Sequence, residues 1–440
     1  MAVKIPQGVR GMNDIFPEES VAWQALEGDL RALLALYGYG EVRLPLLEST
    51  DLFARAIGDV TDIVQKEMYT FVDRNGDSLT LRPEGTAGCA RAAIQARRLR
   101  GHTPRFYYLG PMFRHERPQK GRYRQFHQLG VEVFGLSAAS IDAEVIALSA
   151  RVLRTAGVTA SLQINSLGSP AARLRYRALL LDYLRPRRAE LCVDCRERME
   201  HNPLRVLDCK VAVCQNIAAH AAPRLVDHLD EDSFLHFNSL QGLLTALEIP
   251  YQINHRLVRG LDYYNRTVFE WVTDALGAQG TVLAGGRYDG LVAQLGGADT
   301  PAMGFAVGLE RLLALQRLQS GVADVVPPLL FLGALEDAAV ARTWQIAEQL
   351  RDTGLSVVTG GPTHFKQLMK QAERSHARFQ GMVGGEQLAG AALRLKEQAG
   401  NGQWQGSLNA IHEGLHSLGV DFPERAPHTV RNFATARTSL

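Results

Sequence analysis

The stretch FRHERPQKGRYRQFHQLGVEVFG, from Phe113 to Gly135, places a group of basic side chains between two apolar runs. Its first dozen positions contain one acid, Glu116, and six basic residues, namely Arg114, His115, Arg117, Lys120, Arg122 and Arg124. The runs on either side, RFYYLGPMFRH and QFHQLGVEVFG, are rich in aromatic and apolar residues, as strands are. The stretch therefore predicts two antiparallel strands joined by a basic loop.

This positive charge is local, because the whole chain has 48 Lys and Arg against 46 Asp and Glu, a formal net charge of +2. A chain of 440 residues that is 46% hydrophobic and 21% charged has an ordinary globular composition and the length of about three domains. It contains no apolar run of about 18 residues and no apolar signal segment, so we expect a cytoplasmic protein without a membrane partner. Its five cysteines, an odd and sparse number, also fit a reducing compartment.

Changes in pattern along the chain predict its domain organisation. Residues 1–325 combine helical periodicity, as in the amphipathic run Val21 to Tyr37, with strand-like runs that include a hairpin about Asn75–Gly76. Within this part, about 171–235 is Arg-rich and helical and contains a group of cysteines, which indicates an insertion.

The character of the sequence changes near residue 326. From 326 to 420, strand-like and helical runs alternate, which predicts a separate α/β domain. The segment RFQGMVGGEQ within it is more polar than a central strand is expected to be. The last residues, 421–440, have the composition of an appended flexible tail.

The basic hairpin could bind a nucleotide. The sequence has no P-loop pattern and no G-x-G-x-x-G after a strand, so any nucleotide must bind in another way. Arg114 ends the first strand, and Phe126 and Gln128 begin the second, so a guanidinium, an aromatic face and an amide could meet in one cleft. A guanidinium matches a phosphate in two hydrogen bonds, and an aromatic ring can stack on a purine. The alternative interpretation is a solvated basic hairpin with its strand aromatics in the core.

Other polar residues stand at the ends of strand-like runs. Taken singly, each is typical of a strand-end acid or of a surface residue. Together, the acids could accept hydrogen bonds from a cationic or N–H-bearing substrate. The candidates are Glu84 and Thr86 in LRPEGTAG, Glu132 in GVEVFG, Arg259, Tyr263 and Tyr264 in LVRGLDYYNRTVFEW, and Arg311 in GFAVGLER.

These segments together resemble those of class II aminoacyl-tRNA synthetases. FRHERPQKGRYRQFHQ is similar to motif 2, GFAVGLERL is similar to motif 3, and the long helix leading to Pro45 is similar to motif 1. RGLDYYNRTVFE and AGGRYDGL resemble two signature segments of the histidyl-tRNA synthetase family. The resemblance spans about 1–320, and the region after 326 resembles the anticodon-binding domain of that family more loosely.

The resemblance implies an α+β catalytic domain with a mostly antiparallel sheet of six or seven strands, carrying a helical insertion and followed by an α/β anticodon-binding domain. It also implies a homodimer formed through motif 1. The implied activity is that of a histidine–tRNA ligase, which activates L-histidine with ATP and Mg²⁺ and transfers it to the 3′ end of tRNA(His).

The resemblance further implies roles for individual residues. Arg114, on the α-phosphate and the substrate carboxylate, and Arg259, on the transition state, would be the catalytic residues. ATP would also contact Glu116, Phe126 and Arg311. The residues expected around histidine are Glu84, Thr86, Arg114, Gln128, Glu132, Arg259, Tyr263 and Tyr264. Gln119 and Arg124 of the loop would meet the acceptor end of tRNA.

One alternative is the synthetase-like regulatory subunit of ATP phosphoribosyltransferase, which shares the fold without charging tRNA. Such proteins are expected to lack the anticodon-binding domain and the signature arginine. This chain has Arg114, Arg259 and Arg311 and continues for about 115 residues beyond the catalytic region.

A second alternative is a zinc protein that binds nucleic acid, because Cys192-x2-Cys195 and Cys209-x4-Cys214 have the spacing of zinc ligands. As a function for the whole chain, it leaves the signature segments unexplained. As a local feature, a structural zinc competes with free or buried thiols, which are the more usual interpretation. The resemblance does not require zinc.

Overall fold

The structure is a computed structural model that describes residues 5–58, 61–118, 121–220, 222–276, 280–319, 327–385 and 392–420. The chain divides into two compact units, residues 1–324 and 325–440. The position near 326 where the sequence changes character and the predicted tail at 421–440 lie outside the described residues. None of the described helices has the length and apolarity that crossing a bilayer requires.

Most strands of the first unit belong to one large sheet. In the described part of this unit, the strands are β1 (Gly40–Glu41), β2 (Leu47–Ser49), β3 (Tyr69–Val72), β4 (Ser78–Leu81), β5 (Arg105–Phe113), β6 (Gln125–Phe134), β7 (Ser161–Ser166), β8 (Tyr251–Ile253), β9 (Asn265–Val272), β10 (Thr281–Arg287) and β11 (Ala302–Gly308). The large sheet has the order β1-β5-β6-β11-β10-β9-β7-β8, and a small sheet has the order β2-β4-β3. The predicted hairpins are present as β5–β6 and β3–β4.

The large sheet confirms the predicted class and corrects the expected number of strands. Its neighbouring strands are antiparallel except at the two edges, where β1 runs parallel to β5 and β8 runs parallel to β7. Among the described residues it contains eight strands rather than six or seven. The edge strands β1 and β8 have only two and three residues, which is too short to give a strand pattern in the sequence.

Helices cover the large sheet. In the described part of the first unit they are α1 (Pro17–Leu36), α2 (Thr50–Ile57), α3 (Thr86–Gln95), α4 (Ala139–Thr155), α5 (Pro170–Leu184), α6 (Val193–His201), α7 (Ala212–His220), α8 (Glu231–Ala246), α9 (Leu291–Gln294) and α10 (Leu309–Gln319). The apolar positions of α1 recur every three or four residues and are buried, with Leu26, Leu30 and Leu33 in one hydrophobic core with α4, α8 and α10. That core also contains Leu129 and Val131 of β6, so it covers one face of the sheet and leaves alternate β6 residues on the other face.

The predicted helical insertion is confirmed between β7 and β8. Here α5, α6 and α7 alternate with short 3₁₀ turns, and no strand is described between β7 and β8. The insertion packs with α2 and α3 in a second hydrophobic core. This core lies on the side of the sheet to which the remaining β6 residues point.

The second unit is an α/β domain, as predicted. Its described elements are β12 (Leu330–Ala334), α11 (Asp337–Asp352), β13 (Val357–Gly360), α12 (Phe365–Ser375), β14 (Phe379–Val383), β15 (Ala392–Glu397), β16 (Gln403–Ser407) and α13 (Ile411–Ser417). The sheet order is β13-β12-β14-β15-β16, with β12 parallel to β13 and β14 and the last two strands antiparallel.

The expectation that RFQGMVGGEQ is too polar for a central strand is wrong. This segment supplies β14, which lies in the middle of the sheet and is almost wholly buried. Gly381 explains the apparent polarity, because a Cβ there would lie 3.0 Å from Leu332 and 3.1 Å from Leu395. Those leucine side chains fill the space beside Gly381. The strand therefore lies in apolar surroundings although its own sequence is not apolar throughout.

Candidate active site

A cavity of about 420 Å³ lies on the face of the large sheet opposite α1 and α4. Strands β6, β10 and β11 form its floor, and segments after β4, β5 and β8 and from the insertion form its walls. Its volume is in the range of about 300–1,000 Å³ that is usual for small-molecule sites. All the residues predicted to contact histidine or ATP line it, whereas Arg124 and the four cysteines of the insertion do not.

Strand alternation brings the β6 residues into the cavity. Phe126, Gln128 and Glu132 are two or four positions apart and therefore share a face of the strand. Gly130 continues this row, and a Cβ there would lie 2.0 Å from the ring of Tyr108. The glycine thus leaves room for the Tyr108 ring to cross the strand and reach Glu132.

Glu132 is the most enclosed acid of the cavity, with 1% of its surface exposed. Its Oε1 accepts hydrogen bonds from the hydroxyls of Thr86 at 2.7 Å and Tyr108 at 3.2 Å, and its Oε2 accepts one from the hydroxyl of Tyr288. Burial raises its pKa to about 8, since these neutral donors only partly offset the loss of water. Gly304 faces it on β11, and a Cβ there would lie 2.0 Å from Oε2. A cationic or N–H-bearing ligand would favour the charged carboxylate.

Glu84 combines a place in the cavity with a structural role. Its Oε2 accepts from the backbone N–H of Thr86 at 2.7 Å, and its Oε1 accepts from that of Ala87 at 2.9 Å. Both donors belong to the first turn of α3, whose N–H groups have no partner within the helix. Burial raises the pKa of Glu84, while the two backbone bonds act to lower it. Glu84 therefore anchors the helix that carries Thr86 toward Glu132.

Tyrosines form the wall beside Glu132. The ring centroids of Tyr263 and Tyr264 are 4.7 Å apart, and those of Tyr263 and Tyr288 are 5.6 Å apart in an edge-to-face arrangement. Contacts of this kind hold aromatic side chains in defined positions. The result is an aromatic wall beside the Glu132 carboxylate.

The opposite part of the cavity is basic. Arg114 donates from Nε to the carbonyl of Pro83 at 2.8 Å, and its guanidinium lies 5.3 Å from the centre of the Phe126 ring. Arg311 donates to the carbonyl oxygens of Thr281 and Gly121. In the described part of the chain, neither guanidinium is in an ion pair with a carboxylate. Their charge is therefore available to an anion.

Arg259 lies between the two parts. Its Nη1 pairs with Glu270, its guanidinium lies 5.4 Å from the centre of the Tyr264 ring, and Glu270 accepts in turn from the Thr281 hydroxyl at 2.9 Å. Its Nε is buried and has no hydrogen-bond partner among the described residues, and the same holds for Oε1 of Gln128. Buried polar atoms are nearly always bonded, so a donor and an acceptor in one cavity indicate a polar ligand.

The predicted loop residues differ in their placement. Glu116 lines the basic part and pairs with Arg122 at 3.0 Å. Arg124 donates from Nε to the carbonyl of Glu116 at 3.3 Å and lies outside the cavity lining. Gln119 lies outside the described residues. Of the two candidate tRNA contacts, the structure therefore places only Arg124, which lies beside the cavity and not in its lining.

Several cavity residues were not predicted from the sequence. Among the described residues these include Tyr108, Asp208, Lys210, Glu270 and Tyr288. Glu270 could have been found, since an acid inside the apolar run TVFEWV needs a buried partner. Tyr288 lies in the signature segment AGGRYDGL, directly after β10, and could have been found there. Tyr108 and the pair Asp208 and Lys210 gave no comparable signal, because tyrosines are common in strands and the pair resembles any polar turn.

Comparisons with known proteins agree with this geometry. The family model described as histidyl-tRNA synthetase matches residues 11–171 and 203–312. The histidine–tRNA ligase of Nitrosomonas europaea is 53% identical over 393 residues, which cover 89% of this chain and 93% of that protein. The apo histidyl-tRNA synthetase of S. aureus has a TM-score of 0.76 and 35% identity, covering 93% of this chain and 99% of that one.

A more distant solved structure shares the fold alone. It is described as an ATP phosphoribosyltransferase regulatory subunit/histidyl-tRNA synthetase from Bacillus halodurans C, with a TM-score of 0.60 and 23% identity, covering 83% of this chain and 96% of that one. The match of the family model and the relative at 53% identity are the stronger findings. On these two findings, the chain belongs to the histidyl-tRNA synthetase family.

Proposed function

We propose that this cavity activates L-histidine with ATP and then transfers it to the 3′ end of tRNA(His). The activity of its family is ATP-dependent ligation of an amino acid to tRNA. One observation carries the assignment to the cavity. The same enclosed space has a carboxylate-and-tyrosine part, formed around Glu132, and a basic part, formed by Arg114, Arg259 and Arg311. Histidine and ATP need these two environments side by side.

Histidine fits the part around Glu132. Glu132 accepts an N–H from the imidazole or from the α-ammonium, and the unpartnered Oε1 of Gln128 accepts another. The aromatic wall of Tyr263, Tyr264 and Tyr288 gives the imidazole ring an apolar surface to pack on. A pocket that bonds both ring nitrogens rejects analogues without them by about 10⁴-fold, because its own buried polar groups would be left unpaired.

ATP fits the basic part. Phe126 offers a ring face to adenine, while Arg311 and Arg114 reach the phosphates. In the reaction, the histidine carboxylate attacks the α-phosphate and negative charge builds on the phosphoryl oxygens as pyrophosphate leaves. Arg114 and Arg259, which both line the cavity, would stabilise that charge. Arg259 also has its buried Nε to donate to the substrate.

Carboxylates at the basic part fit a magnesium ion bound together with ATP. Glu116 lines the cavity, and Glu67 lies near Glu116. Burial raises the pKa of Glu67, and the charge of Glu116 raises it further. Mg²⁺ is usually held by one or two carboxylates together with substrate phosphates. Glu116, with Glu67 beside it, would hold the ion, which neutralises charge on the phosphates when it is bound.

The partners of the reaction are tRNA and a second copy of the chain. Arg124 and Gln119 of the basic loop are the candidate contacts to the acceptor end, and the second unit is the candidate reader of the anticodon. We expect dimerisation through motif 1, the long helix leading to Pro45, and exposed apolar side chains of the small sheet, including Leu47, Phe71 and Val72, support an interface in this part of the unit. We expect the reaction to take place in the cytoplasm.

Two assays test this function. In ATP–pyrophosphate exchange with each of the twenty amino acids, only histidine should support exchange. In aminoacylation of a tRNA panel, only tRNA(His) should be charged. A chain that binds histidine without exchanging pyrophosphate would be a regulatory subunit, and the proposal would be wrong.

Removal of the second unit should leave pyrophosphate exchange largely intact and weaken tRNA charging, whereas charging at full efficiency would contradict the role assigned to that unit.

A further inference from the structure

The four cysteines of the insertion lie around one point. Their sulfur atoms are all within 4.8 Å of one another, and Sγ of Cys192 is 3.9 Å from Sγ of Cys209. None of them is in a disulfide. A tetrahedral zinc with Zn–S bonds of about 2.3 Å places its sulfurs about 3.8 Å apart. A disulfide would need about 2.05 Å.

The surrounding backbone favours thiolates. Cys192 and Cys195 flank the start of α6, and Cys209 and Cys214 flank the start of α7. The backbone N–H of Cys192 donates to Sγ of Cys214 at 3.3 Å, and that of Val211 donates to Sγ of Cys209 at 3.5 Å. N–H donors toward sulfur stabilise the negative charge that a metal-bound thiolate carries and orient the ligand.

Helix α6, which carries two of these cysteines, contributes little to the second hydrophobic core. In the nine-residue helix α6, the sequence VDCRERMEH buries only Cys195 and Met199. A short helix with so few buried apolar residues needs a further cross-link to be stable, and in small folds this is often a bound metal ion. Cys89, by contrast, is buried in α3 apart from the other cysteines and is packed as an ordinary apolar residue.

We propose that Cys192, Cys195, Cys209 and Cys214 bind a structural zinc ion that holds one wall of the active cavity. Cys209 lies between Asp208 and Lys210, which both line the cavity. The preceding turn bonds to the segment that carries Arg259, since Asn202 donates to Asp262 at 2.8 Å and Arg205 donates to the carbonyl of Gly260 at 3.3 Å. Zinc at this cluster therefore positions the Arg259 segment. The effect on catalysis rests on the proposed function, whereas the metal site does not.

Metal content tests the site without reference to activity. Full-length protein from zinc-replete cells, purified without a metal-binding tag and gel-filtered in metal-free buffer, should contain one zinc per chain by mass spectrometry of the elements. The Cys209→Ser variant should lose the zinc, and the matched Cys89→Ala variant should keep it. Absence of zinc from the wild type, iron in its place, or unchanged zinc in Cys209→Ser would overturn the proposal.

Chelation of the wild type keeps the test valid if Cys209→Ser does not fold. Release of zinc should make four further thiols reactive to a thiol reagent, and cobalt added in its place should give the intense visible bands of a tetrahedral thiolate site. If zinc is released without new reactive thiols, the ion is held elsewhere and the proposal is wrong.

Hydrogen exchange tests the link to the cavity. Chelation should speed amide exchange in residues 202–214 and 257–264 and leave β6 unchanged, and pyrophosphate exchange should fall by about tenfold or more. Unchanged amide exchange in 257–264 would overturn the link. If the zinc-loaded wild type shows no histidine-dependent exchange, the proposed function fails while the metal result stands by itself.

Discussion

Two carboxylates in the first unit, Asp142 and Glu132, are almost equally buried, at 0% and 1% exposed. Asp142 is bonded by the cationic guanidinium of Arg287, which donates from Nε at 3.0 Å, and by the ring of His236 at 2.7 Å. Burial acts to raise its pKa, but His236 and Arg287 outweigh burial and hold it below its ordinary value. Glu132 is bonded by hydroxyls alone, and its pKa is raised to about 8.

The arginines nearby differ in the same way. Arg287 donates to Asp142, Asp289 and the carbonyl of Leu136, so all three of its nitrogens are used. Arg259 pairs with Glu270 through one nitrogen, and its Nε has no partner among the described residues. A closed network stabilises the fold, whereas an open one leaves bonds for a ligand. Burial alone does not distinguish the closed network of Arg287 from the open network of Arg259, but the number of hydrogen bonds that each arginine makes does.

The first and largest expected effect is on the closed network. Replacing Arg287 by Met leaves Asp142 buried without its main countercharge and should lower the free energy of unfolding by about 3–5 kcal/mol. Urea denaturation measures this. The matched control is Arg185→Met, which breaks the exposed pair with Asp182 and should cost about 1 kcal/mol or less. Equal losses in the two variants would mean that the Arg287 network is not what stabilises this part of the sheet.

Removing Arg259 from the open network should reduce catalysis, whereas it should not prevent folding. Arg259→Ala should fold and bind histidine but lose pyrophosphate exchange by more than about 100-fold, since removal of a cation from the transition state costs about 3 kcal/mol or more. The matched control is Arg256→Ala, on the exposed part of the preceding segment. Exchange by Arg259→Ala within tenfold of wild type would remove Arg259 from the reaction.

The third effect concerns substrate affinity. Glu132→Gln keeps the shape of the side chain but removes its charge, so the KM for histidine should rise by about 10- to 100-fold, equivalent to about 1.5–3 kcal/mol. The KM for ATP should change little. Glu144→Gln, in the Arg105 pair, is the control. If the histidine KM of Glu132→Gln stays at the wild-type value with a normal kcat, Glu132 is only a structural residue.

Part of the cavity could be predicted from the sequence. Alternation along β6 is enough to place Phe126, Gln128 and Glu132 on one face, and the basic loop marks where that face becomes positive. The hairpins and the α/β character of the second unit follow from equally local patterns. These features need only neighbours along the chain.

The hydrogen-bond networks of the two carboxylates could not be predicted, because they depend on contacts between residues far apart in the chain. Arg259 and Arg287 both lie in signature segments, and no local pattern distinguishes the arginine that meets Asp142 from the one that lines the cavity. The partner of Arg287 is 145 residues away in the chain. Tyr108 and Tyr288 reach Glu132 across 24 and 156 residues, and Gly130 and Gly304 matter only because of the side chains that face them. Only the folded sheet shows such pairs.

The last expected effect, spread gradually over several pH units, is a dependence of stability on pH. The pKa of Glu132 is about 8 in the folded protein against an ordinary value of 4.5, so between these values the folded chain binds a proton that the unfolded chain has lost. The free energy of unfolding should therefore fall as pH rises through this range, with a slope from this group of at most about 1.4 kcal/mol per pH unit. Glu132→Gln cannot titrate, so the free energy of unfolding of this variant relative to that of wild type should increase from pH 5 to pH 8. Urea denaturation of both proteins at several pH values measures the margin, and Glu144→Gln serves as the control. Parallel pH curves would mean that Glu132 is ionised in the free protein, and the contrast with Asp142 would then rest on geometry alone.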